Sequence, residues 1–255
     1  PTKHNKNSRV AASVSELLER LSTEYGSFVW EPRYSPAEEL VFTILSQHTS
    51  DINSERAFKN LMSTFGSIEA IAAADVARIE DTIRSAGLFR MKAPRIKKVL
   101  TDIYAELGSF DLSFLVEMPL ADAKTWLKRW DGIGPKTAAI ILCFSLGLPA
   151  MPVDTHIHRV SKRLGLIDPT TTADQAHDIL ESMVPAENVF EFHLFLINMA
   201  AKYVKRCARS AMIVFLKTRV HHVTSLSEAD TERRVKGSTQ MACPWRQDNW
   251  AVYFL

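Results

Sequence analysis

The sequence has few cysteines and no long apolar run, and each of these absences excludes a class of protein. Its three cysteines lie far apart, at Cys143, Cys207 and Cys243. They do not form the framework of a disulfide-rich secreted domain, and Cys143 lies in an apolar stretch typical of a helical core. No apolar run is long enough to cross a membrane and no secretory leader is evident, so we expect a cytoplasmic protein.

The chain also has almost no charge imbalance. Its 31 lysines and arginines nearly balance its 29 aspartates and glutamates, which gives a formal net charge of +2. Positive charge is concentrated locally instead, in Arg90, Lys92, Arg95, Lys97 and Lys98 and again in Arg159, Lys162 and Arg163. Such clusters either contact nucleic-acid phosphates, which makes binding sensitive to salt, or form an ordinary solvated helix face.

Alternating strand patterns are absent up to about residue 198, whereas apolar spacings of three and four residues recur. The length of 255 residues suffices for one large or two small domains. The pattern therefore predicts an all-α protein, with helices at 13–24, 37–47, 51–65, 75–86, 92–107, 120–130, 135–146, 155–164, 172–184 and 188–198.

The hexapeptide from Gly132 to Thr137, which reads Gly-Ile-Gly-Pro-Lys-Thr, is typical of an anion-binding turn before a helix. Two glycines around one apolar residue let backbone N–H groups approach a phosphate without a Cβ in the way. Pro135 suits the first position of the helix, where its missing N–H costs nothing. A single Gly-x-Gly is weak evidence by itself, because most such pairs are ordinary turns.

The chain between Lys136 and Asp154 is long enough for the two side chains to meet. A helix over 135–146 rises roughly 18 Å. The prolyl segment 147–153 is extended and covers about 23 Å, so the chain can return to where the helix began. Lys136 then supplies an amine and Asp154 a carboxylate. Taken singly, a lysine like Lys136 is more often a solvated surface residue, and Asp154 is equally consistent with an N-cap of the next helix.

Four motifs in the same order give the chain a specific resemblance. They are the hairpin at 132–138, the segment Val153-Asp154-Thr155-His156, the loop at 45–51 (Leu-Ser-Gln-His-Thr-Ser-Asp), and Gly87-Leu88-Phe89 followed by Lys92-Ala93. In these motifs the chain resembles the endonuclease III branch of the helix-hairpin-helix DNA glycosylases, from about residue 13 to Asn198. The resemblance implies base excision repair of DNA.

The resemblance also implies a role for each site residue. Lys136 would attack C1′ of a flipped nucleotide and form a Schiff base that leads to β-elimination, and Asp154 would accept its proton or steady the cationic sugar. His48 and Leu88 would fill the gap left by the base, although the family usually has glutamine at the position of His48. The remaining DNA contacts would come from Gln47, Gly132, Ile133, Gly134 and Thr137. Without the resemblance, His48 is simply a loop histidine and Leu88 a core residue.

The implied architecture has two helical lobes with a DNA-binding cleft between them. Residues 36–150 would form a six-helix barrel-like domain that ends in the hairpin. Residues 1–35 and 151–198 would form the second lobe, and 199–255 is an atypical tail. We expect a monomer that binds double-stranded DNA containing damaged or mismatched bases or abasic sites, and that is associated with the nucleoid.

The tail departs from the family, whose members usually carry a [4Fe–4S] cluster on four cysteines with spacing Cys-x6-Cys-x2-Cys-x5-Cys. No such spacing exists here, so we expect no metal and no cofactor in this chain. Reading the codons after Asn198 one base earlier permits His-Gly-Arg and then cysteines across Val204, Ala211, Val214 and Val220. We therefore hypothesise that residues from 199 onward are translated out of frame. The alternative is a natural cluster-free variant.

Three functions remain open at this point. The first is a DNA glycosylase with AP lyase activity, which the presence of Lys136 favours, with oxidised pyrimidines as the default substrates. The second is a monofunctional adenine or mismatch glycosylase. It is disfavoured because Ile44 stands where the adenine-excising branch places a glutamate. The third is a non-catalytic relative that uses the hairpin only to bind DNA.

Overall fold

The computed structural model describes the backbone of residues 3–204 and the side chains of residues 14–201. This part of the chain contains helices and no β-strand, which confirms the all-α prediction. The α-helices are α1 (Lys3–Tyr25), α2 (Pro36–Ser46), α3 (Asp51–Phe65), α4 (Ile68–Ala73), α5 (Val76–Thr82), α6 (Phe89–Leu107), α7 (Leu120–Lys128), α8 (Pro135–Ile140), α9 (Thr155–Leu164), α10 (Ala173–Met183) and α11 (Val189–Val204). A π-helix over Ile141–Ser145 continues α8, and short 3-10 helices lie at Arg84–Ala86, Ser113–Glu117 and Ala186–Asn188.

Helix α2 is the central element of the first group of helices. It packs against α3, α6, α8 and the π-helix, and its residues Leu40, Ile44 and Leu45 are completely buried. The helix begins at a capping box, in which the Ser35 side chain accepts from the Glu38 N–H and the Glu38 carboxylate accepts from the Ser35 N–H. This fixed start places the end of α2, and the loop that follows it, beside α8.

The second group joins the beginning of the chain to the helices that follow residue 154. Helix α1 packs against α10 and α11, and α9 packs against both α10 and α11. Phe192 and Phe195 of α11 are among the largest completely buried side chains. Helix α10 also contacts α8, so the second group closes directly over the helix that begins at Pro135.

Several helix boundaries differ from the predicted ones for local reasons. The sequence pattern missed α4, whose six residues give fewer than two turns of periodicity. The helix predicted at 75–86 is interrupted at Ile83, after which the chain tightens into a 3-10 turn. The helix predicted at 135–146 widens into the π-helix, where the indole Nε1 of Trp30 donates to the Cys143 carbonyl at 2.8 Å. A side chain that inserts into the helical hydrogen-bond ladder is one recognised cause of irregular helix geometry.

Helix α11 continues past Asn198, the point at which we hypothesised the change of frame. Met199 and Ala200 are both buried. The rest of the tail, with Cys207 and Cys243, lies outside the described residues, and the frameshift stays a prediction, as do the domain boundaries. No helix in the described part of the chain combines the length and the apolar character that a membrane-spanning segment requires.

Candidate active site

A pocket of about 720 Å³ lies where the loop after α2, the start of α8 and the segment before α9 meet. Its volume is in the range of sites that enclose a small organic molecule. Lys136 and Asp154 both line it, as their spacing in the sequence predicted. Its full lining is Thr43, Ser46, Gln47, His48, Thr49, Ser50, Gly132, Gly134, Pro135, Lys136, Thr137, Val153, Asp154, Thr155, Ala173, Asp174 and His177.

The two hairpin glycines serve different purposes. Gly132 has a φ of +83°, a backbone conformation that favours glycine, and a Cβ there would lie 2.5 Å from Cδ of Arg95, so the Arg95 side chain would have to move. Gly134 has an ordinary extended backbone, and a Cβ on it would meet no described atom within 4 Å. Glycine at this position instead keeps the approach to the helix start open from outside.

The start of α8 presents backbone donors to the pocket. Gly134 is the N-cap residue and has no side chain with which to cap the helix. The first hydrogen bond of the helix runs from Ala138 N to Gly134 O, at 3.0 Å. The N–H groups of Lys136 and Thr137 precede this bond and therefore have no acceptor inside the helix. An anion at this position would satisfy them.

Asp154 is both an N-cap and a pocket residue, so the two interpretations of this residue are compatible. Its Oδ1 accepts from the Ile157 N–H at 2.6 Å, while Oδ2 is buried and has no hydrogen-bond partner among the described residues. The residue is only 5% exposed. Burial raises the pKa of the carboxyl, and the Ile157 hydrogen bond and the charge of Lys136 oppose that rise. Asp154 therefore offers the pocket a carboxyl that accepts a proton more readily than an exposed aspartate.

Side chains of α10 and α11 hold the extended segment that leads into Asp154. Met151 N donates to Glu181 at 2.9 Å, and Met151 O accepts from Nδ1 of His177 at 2.7 Å. Pro152 O accepts from Nδ1 of His193 at 3.0 Å. Burial lowers the pKa of both histidines, that of His193 to about 3, so both rings are neutral near pH 7. Asp154 is thus positioned by hydrogen bonds to the backbone just before it.

His48 and Leu88 share an unusual backbone conformation. They are the non-glycine residues with positive φ in the described part of the chain, at 53° and 44°. Such a conformation is costly for a residue with a Cβ and is concentrated at functional sites. Both side chains are exposed, Leu88 at 53%. The interpretation of Leu88 as a core residue is therefore wrong.

One buried lysine connects the loops that carry His48 and Leu88. Nζ of Lys92 donates to Leu45 O at 2.6 Å, to Thr49 Oγ1 at 2.6 Å and to Ala86 O at 2.8 Å. Thr49 Oγ1 in turn donates to Ala86 O. Burial lowers the pKa of Lys92 to about 8. The two strained loops are therefore attached to each other by the Lys92 amine together with the Thr49–Ala86 hydrogen bond.

Gln47 connects the first of these loops to the hairpin. Its Nε2 is 3.5 Å from Gly132 O, and its Oε1 accepts from Arg95 at 3.1 Å. Lys92 is buried and acts inside the protein, so the expectation that it lies in an exposed basic cluster is wrong. Arg95 is half-buried, and its contact with phosphates stays a prediction. Helical periodicity placed these basic residues on an exposed face, because the pattern of one helix carries no information about hydrogen-bond acceptors on neighbouring loops.

The pocket unites most of the predicted site residues but not all of them. Leu88 lies on its own loop outside the pocket lining, and the side chain of Ile133 is buried in the core, which leaves only its backbone for DNA. The sequence analysis missed Thr43, Asp174 and His177. These residues belong to no recognisable motif, and only the packing of α10 onto α8 brings the latter two to the pocket.

The cysteines of this chain do not fit a [4Fe–4S] cluster, which requires four thiolate ligands. The sequence has three cysteines, and Cys143 is buried in the core, where burial raises the pKa of its thiol. Within the part of the chain that the structure describes, no group of histidine, cysteine, aspartate and glutamate side chains is arranged to hold a metal ion.

Comparison with known proteins identifies the family to which this chain is similar. Residues 41–186 match the HhH-GPD superfamily of base excision DNA repair proteins. A candidate DNA glycosylase of Arabidopsis thaliana is 35% identical over 162 residues, which are 64% of this chain and 55% of the plant protein. Endonuclease III of Thermotoga maritima is 33% identical over 152 residues, 60% of this chain and 67% of the bacterial protein. The chain thus spans little more than half of the plant relative.

Solved structures share the fold. A non-covalent endonuclease III–DNA complex superimposes with a TM-score of 0.67 at 23% sequence identity, and the match covers 88% of this chain and 98% of that one. At this level of identity the similarity concerns the arrangement of the helices. It agrees with the helical architecture described above.

Proposed function

The chain belongs to the HhH-GPD superfamily of base excision DNA repair proteins, which confirms the resemblance to endonuclease III, and from this premise we propose that it is a DNA glycosylase with AP lyase activity. The single observation that carries the proposal is the meeting of Lys136 and Asp154 in one pocket at the start of α8. An amine there can serve as the nucleophile, and the buried carboxyl beside it can accept the amine's proton.

The reaction follows from these two groups. The neutral amine of Lys136 forms a bond to C1′, the bond from C1′ to the base breaks, and the base leaves with a proton. Opening of the sugar then gives a Schiff base, in which loss of a C2′ proton breaks the C3′–O bond and nicks the strand. Asp154 takes the proton from the amine or stabilises the cationic sugar. C1′ is inaccessible in a stacked duplex, so the nucleotide must first be extruded.

The surrounding features support extrusion. The unpaired N–H groups at the start of α8 suit a backbone phosphate next to the extruded nucleotide. His48 and Leu88 are exposed on the two strained loops, where their side chains can enter the duplex and offset part of the unstacking cost. A monofunctional adenine glycosylase is disfavoured, because Ile44, in place of a glutamate, is completely buried in the core.

We further propose oxidised pyrimidines as the substrates, and the likeness to an endonuclease III supports this. The test is nicking of duplexes that contain an abasic site or thymine glycol, by the wild type and by Lys136→Gln. Lys59→Gln is the matched control, because Lys59 is an exposed lysine on α3 that pairs with Glu55 and does not line the pocket. We expect nicking and a borohydride-trapped adduct from the wild type and the control, and neither from Lys136→Gln.

Equal nicking by the wild type and Lys136→Gln would contradict the proposal. Binding of the duplexes without any nicking or base release by the wild type would favour the non-catalytic DNA-binding alternative. Release of the base without nicking would instead identify a monofunctional glycosylase.

We also propose that this polypeptide works without an iron–sulfur cluster, since its three cysteines cannot supply four thiolate ligands. The expected result is purified protein that contains no iron and still nicks an abasic site. Sequencing of the gene across codon 198 tests the frameshift hypothesis separately. An uninterrupted frame whose third bases exclude cysteine codons in the other frame would refute it.

A further inference from the structure

Two buried histidines hold consecutive carbonyls of the segment before Asp154, but only one of them reaches the pocket. His177 donates from Nδ1 to Met151 O, and His193 donates from Nδ1 to Pro152 O. The Nε2 of His193 is sealed in the core and has no partner among the described residues. His177, in contrast, lines the pocket together with Lys136. Its Nε2 is not among the buried atoms without a partner, and it forms no hydrogen bond with any described residue.

The hydrogen bond to Met151 fixes which ring nitrogen of His177 carries the proton. A carbonyl oxygen only accepts, so Nδ1 must donate, and in a neutral ring Nε2 is then an acceptor. Burial keeps the ring neutral by lowering its pKa, against the opposing effect of the Met151 hydrogen bond. The pocket therefore contains an acceptor on α10 whose orientation is fixed by the bond to Met151.

We infer that His177 reads the extruded base by accepting a hydrogen bond at Nε2 from an N3–H on the edge of the base that pairs in the duplex. The inference rests on the proposed function. If Lys136 attacks C1′, the base attached to C1′ lies in the same pocket, with its pairing edge pointing away from the sugar. An acceptor favours pyrimidines with an N3–H imide, such as thymine glycol. It disfavours cytosine-type bases, whose N3 is itself an acceptor.

Two substitutions separate recognition from positioning. In His177→Asn the side-chain amide can replace Nδ1 and keep the bond to Met151, but nothing replaces Nε2. In His177→Gln an amide oxygen can replace Nε2, but the bond to Met151 is lost. His193→Asn is the matched control, because it makes the same change at the neighbouring carbonyl without touching the pocket.

The readouts are release of thymine glycol, release of 5-hydroxycytosine and nicking of a preformed abasic site, all under single-turnover conditions. An abasic site has no base to read. We expect His177→Asn to release thymine glycol about 10- to 100-fold more slowly than the wild type and to lose the preference over 5-hydroxycytosine. It should nick the abasic site at close to the wild-type rate. His177→Gln should retain the preference, and His193→Asn should not alter it.

Equal losses on thymine glycol and on the abasic site in His177→Asn would overturn the inference, because they would mean that His177 acts only by positioning Asp154. Unchanged release of thymine glycol would overturn it as well. Failure of the proposed function has a different signature, in which the wild type itself releases no base and nicks no abasic site.

Discussion

The loops that carry His48 and Leu88 are built differently from the segment that leads into Asp154. The loops place exposed side chains on left-handed backbone and are attached to each other by Lys92 and by the Thr49–Ala86 hydrogen bond. The segment is extended and buried, and α10 and α11 hold its backbone through Glu181, His177 and His193. The difference matches the two tasks that we propose. Strain and exposure suit a surface that enters a duplex, whereas burial suits a carboxyl that must accept a proton.

The largest effect is expected from substitution of Asp154 in the buried segment. Asp154→Asn should lower the activity and raise the stability at pH 7. Asp154→Asn should lower nicking of an abasic site by about 10²- to 10⁴-fold, because the proton acceptor is lost. The pKa of Asp154 is raised in the folded protein, so the wild type loses stability as the pH rises from the ordinary aspartate pKa through the raised value. Asparagine caps a helix as well as aspartate does but buries no charge.

Thermal unfolding at pH 4 and pH 7 tests this prediction. Asp154→Asn should be more stable than the wild type at pH 7, and its advantage should shrink toward pH 4. A variant that is less stable than the wild type at pH 7 would show that burial of this carboxyl is not what distinguishes the segment from the loops.

Substitution of Lys92 should lower the nicking of duplex DNA through the loops alone, without a change in the segment that leads into Asp154. Lys92→Met fills the same volume but donates no hydrogen bond, so the Thr49–Ala86 hydrogen bond alone should connect the loops. We expect duplex nicking to fall about 10- to 100-fold, in line with the roughly 1–3 kcal/mol cost of leaving buried acceptors unpaired. A single-stranded abasic oligonucleotide, which needs no extrusion, should be cleaved at close to the wild-type rate.

The pH dependence of duplex nicking by the wild type and Lys92→Met provides a control. The pKa of Lys92 is about 8, and above it the neutral amine has only two protons for three acceptors. The advantage of the wild type over Lys92→Met on duplex DNA should therefore narrow above about pH 8. An advantage that stays constant from pH 6 to pH 9 would contradict this assignment.

Replacement of Leu88 by glycine tests whether strain distinguishes the loops. Glycine adopts positive φ without strain, so Leu88→Gly should be as stable as the wild type or more stable by up to about 1 kcal/mol. Duplex nicking should nevertheless fall about tenfold because the inserted side chain is lost. Unfolding by denaturant measures the first effect, and 2-aminopurine fluorescence beside an abasic site measures the extrusion. A clear loss of stability would mean that Leu88 packs rather than probes.

The smallest effects on DNA binding and cleavage are expected at the hairpin, where the two glycines provide a matched pair. Gly132→Ala should destabilise the protein by about 1–2 kcal/mol, because it places a Cβ at positive φ and against Arg95. Gly134→Ala should leave stability unchanged but weaken DNA binding a few-fold, because its Cβ would lie in the path of a phosphate. Thermal unfolding and titration with an abasic duplex separate the two. The reverse pattern would exclude a phosphate site at Gly134.

Sequence periodicity predicted the long amphipathic helices well, and it failed where a distant contact decides the local structure. The bounds of α3 and α9 agree with prediction, because each follows a clear start signal and ends at a glycine in left-handed conformation. The π-helical turn at Ile141–Ser145 could not be predicted, since it involves a hydrogen bond from Trp30, more than a hundred residues earlier. Its apolar residues are compatible with either kind of helix.

The same distinction applies to the candidate site. Lys136 and Asp154 belong to local motifs, and chain length alone showed that they can meet. Lys92 was misplaced because its buried position depends on three acceptors from two separate loops. His177 has no motif at all, and it reaches the pocket only because α10 packs on α8. Residues whose role depends on tertiary contacts were therefore the ones that sequence reasoning missed.

The sharing of Lys92 between two loops constrains how this protein can diversify. An exchange at position 48 can shift the neighbouring Thr49, which shares the Lys92 amine with Ala86 on the loop of Leu88, so we expect positions 48 and 88 not to vary independently. Acquisition of a new lesion or a new opposite base should then require paired replacements. Transfer of one loop from a relative should fail where transfer of both succeeds.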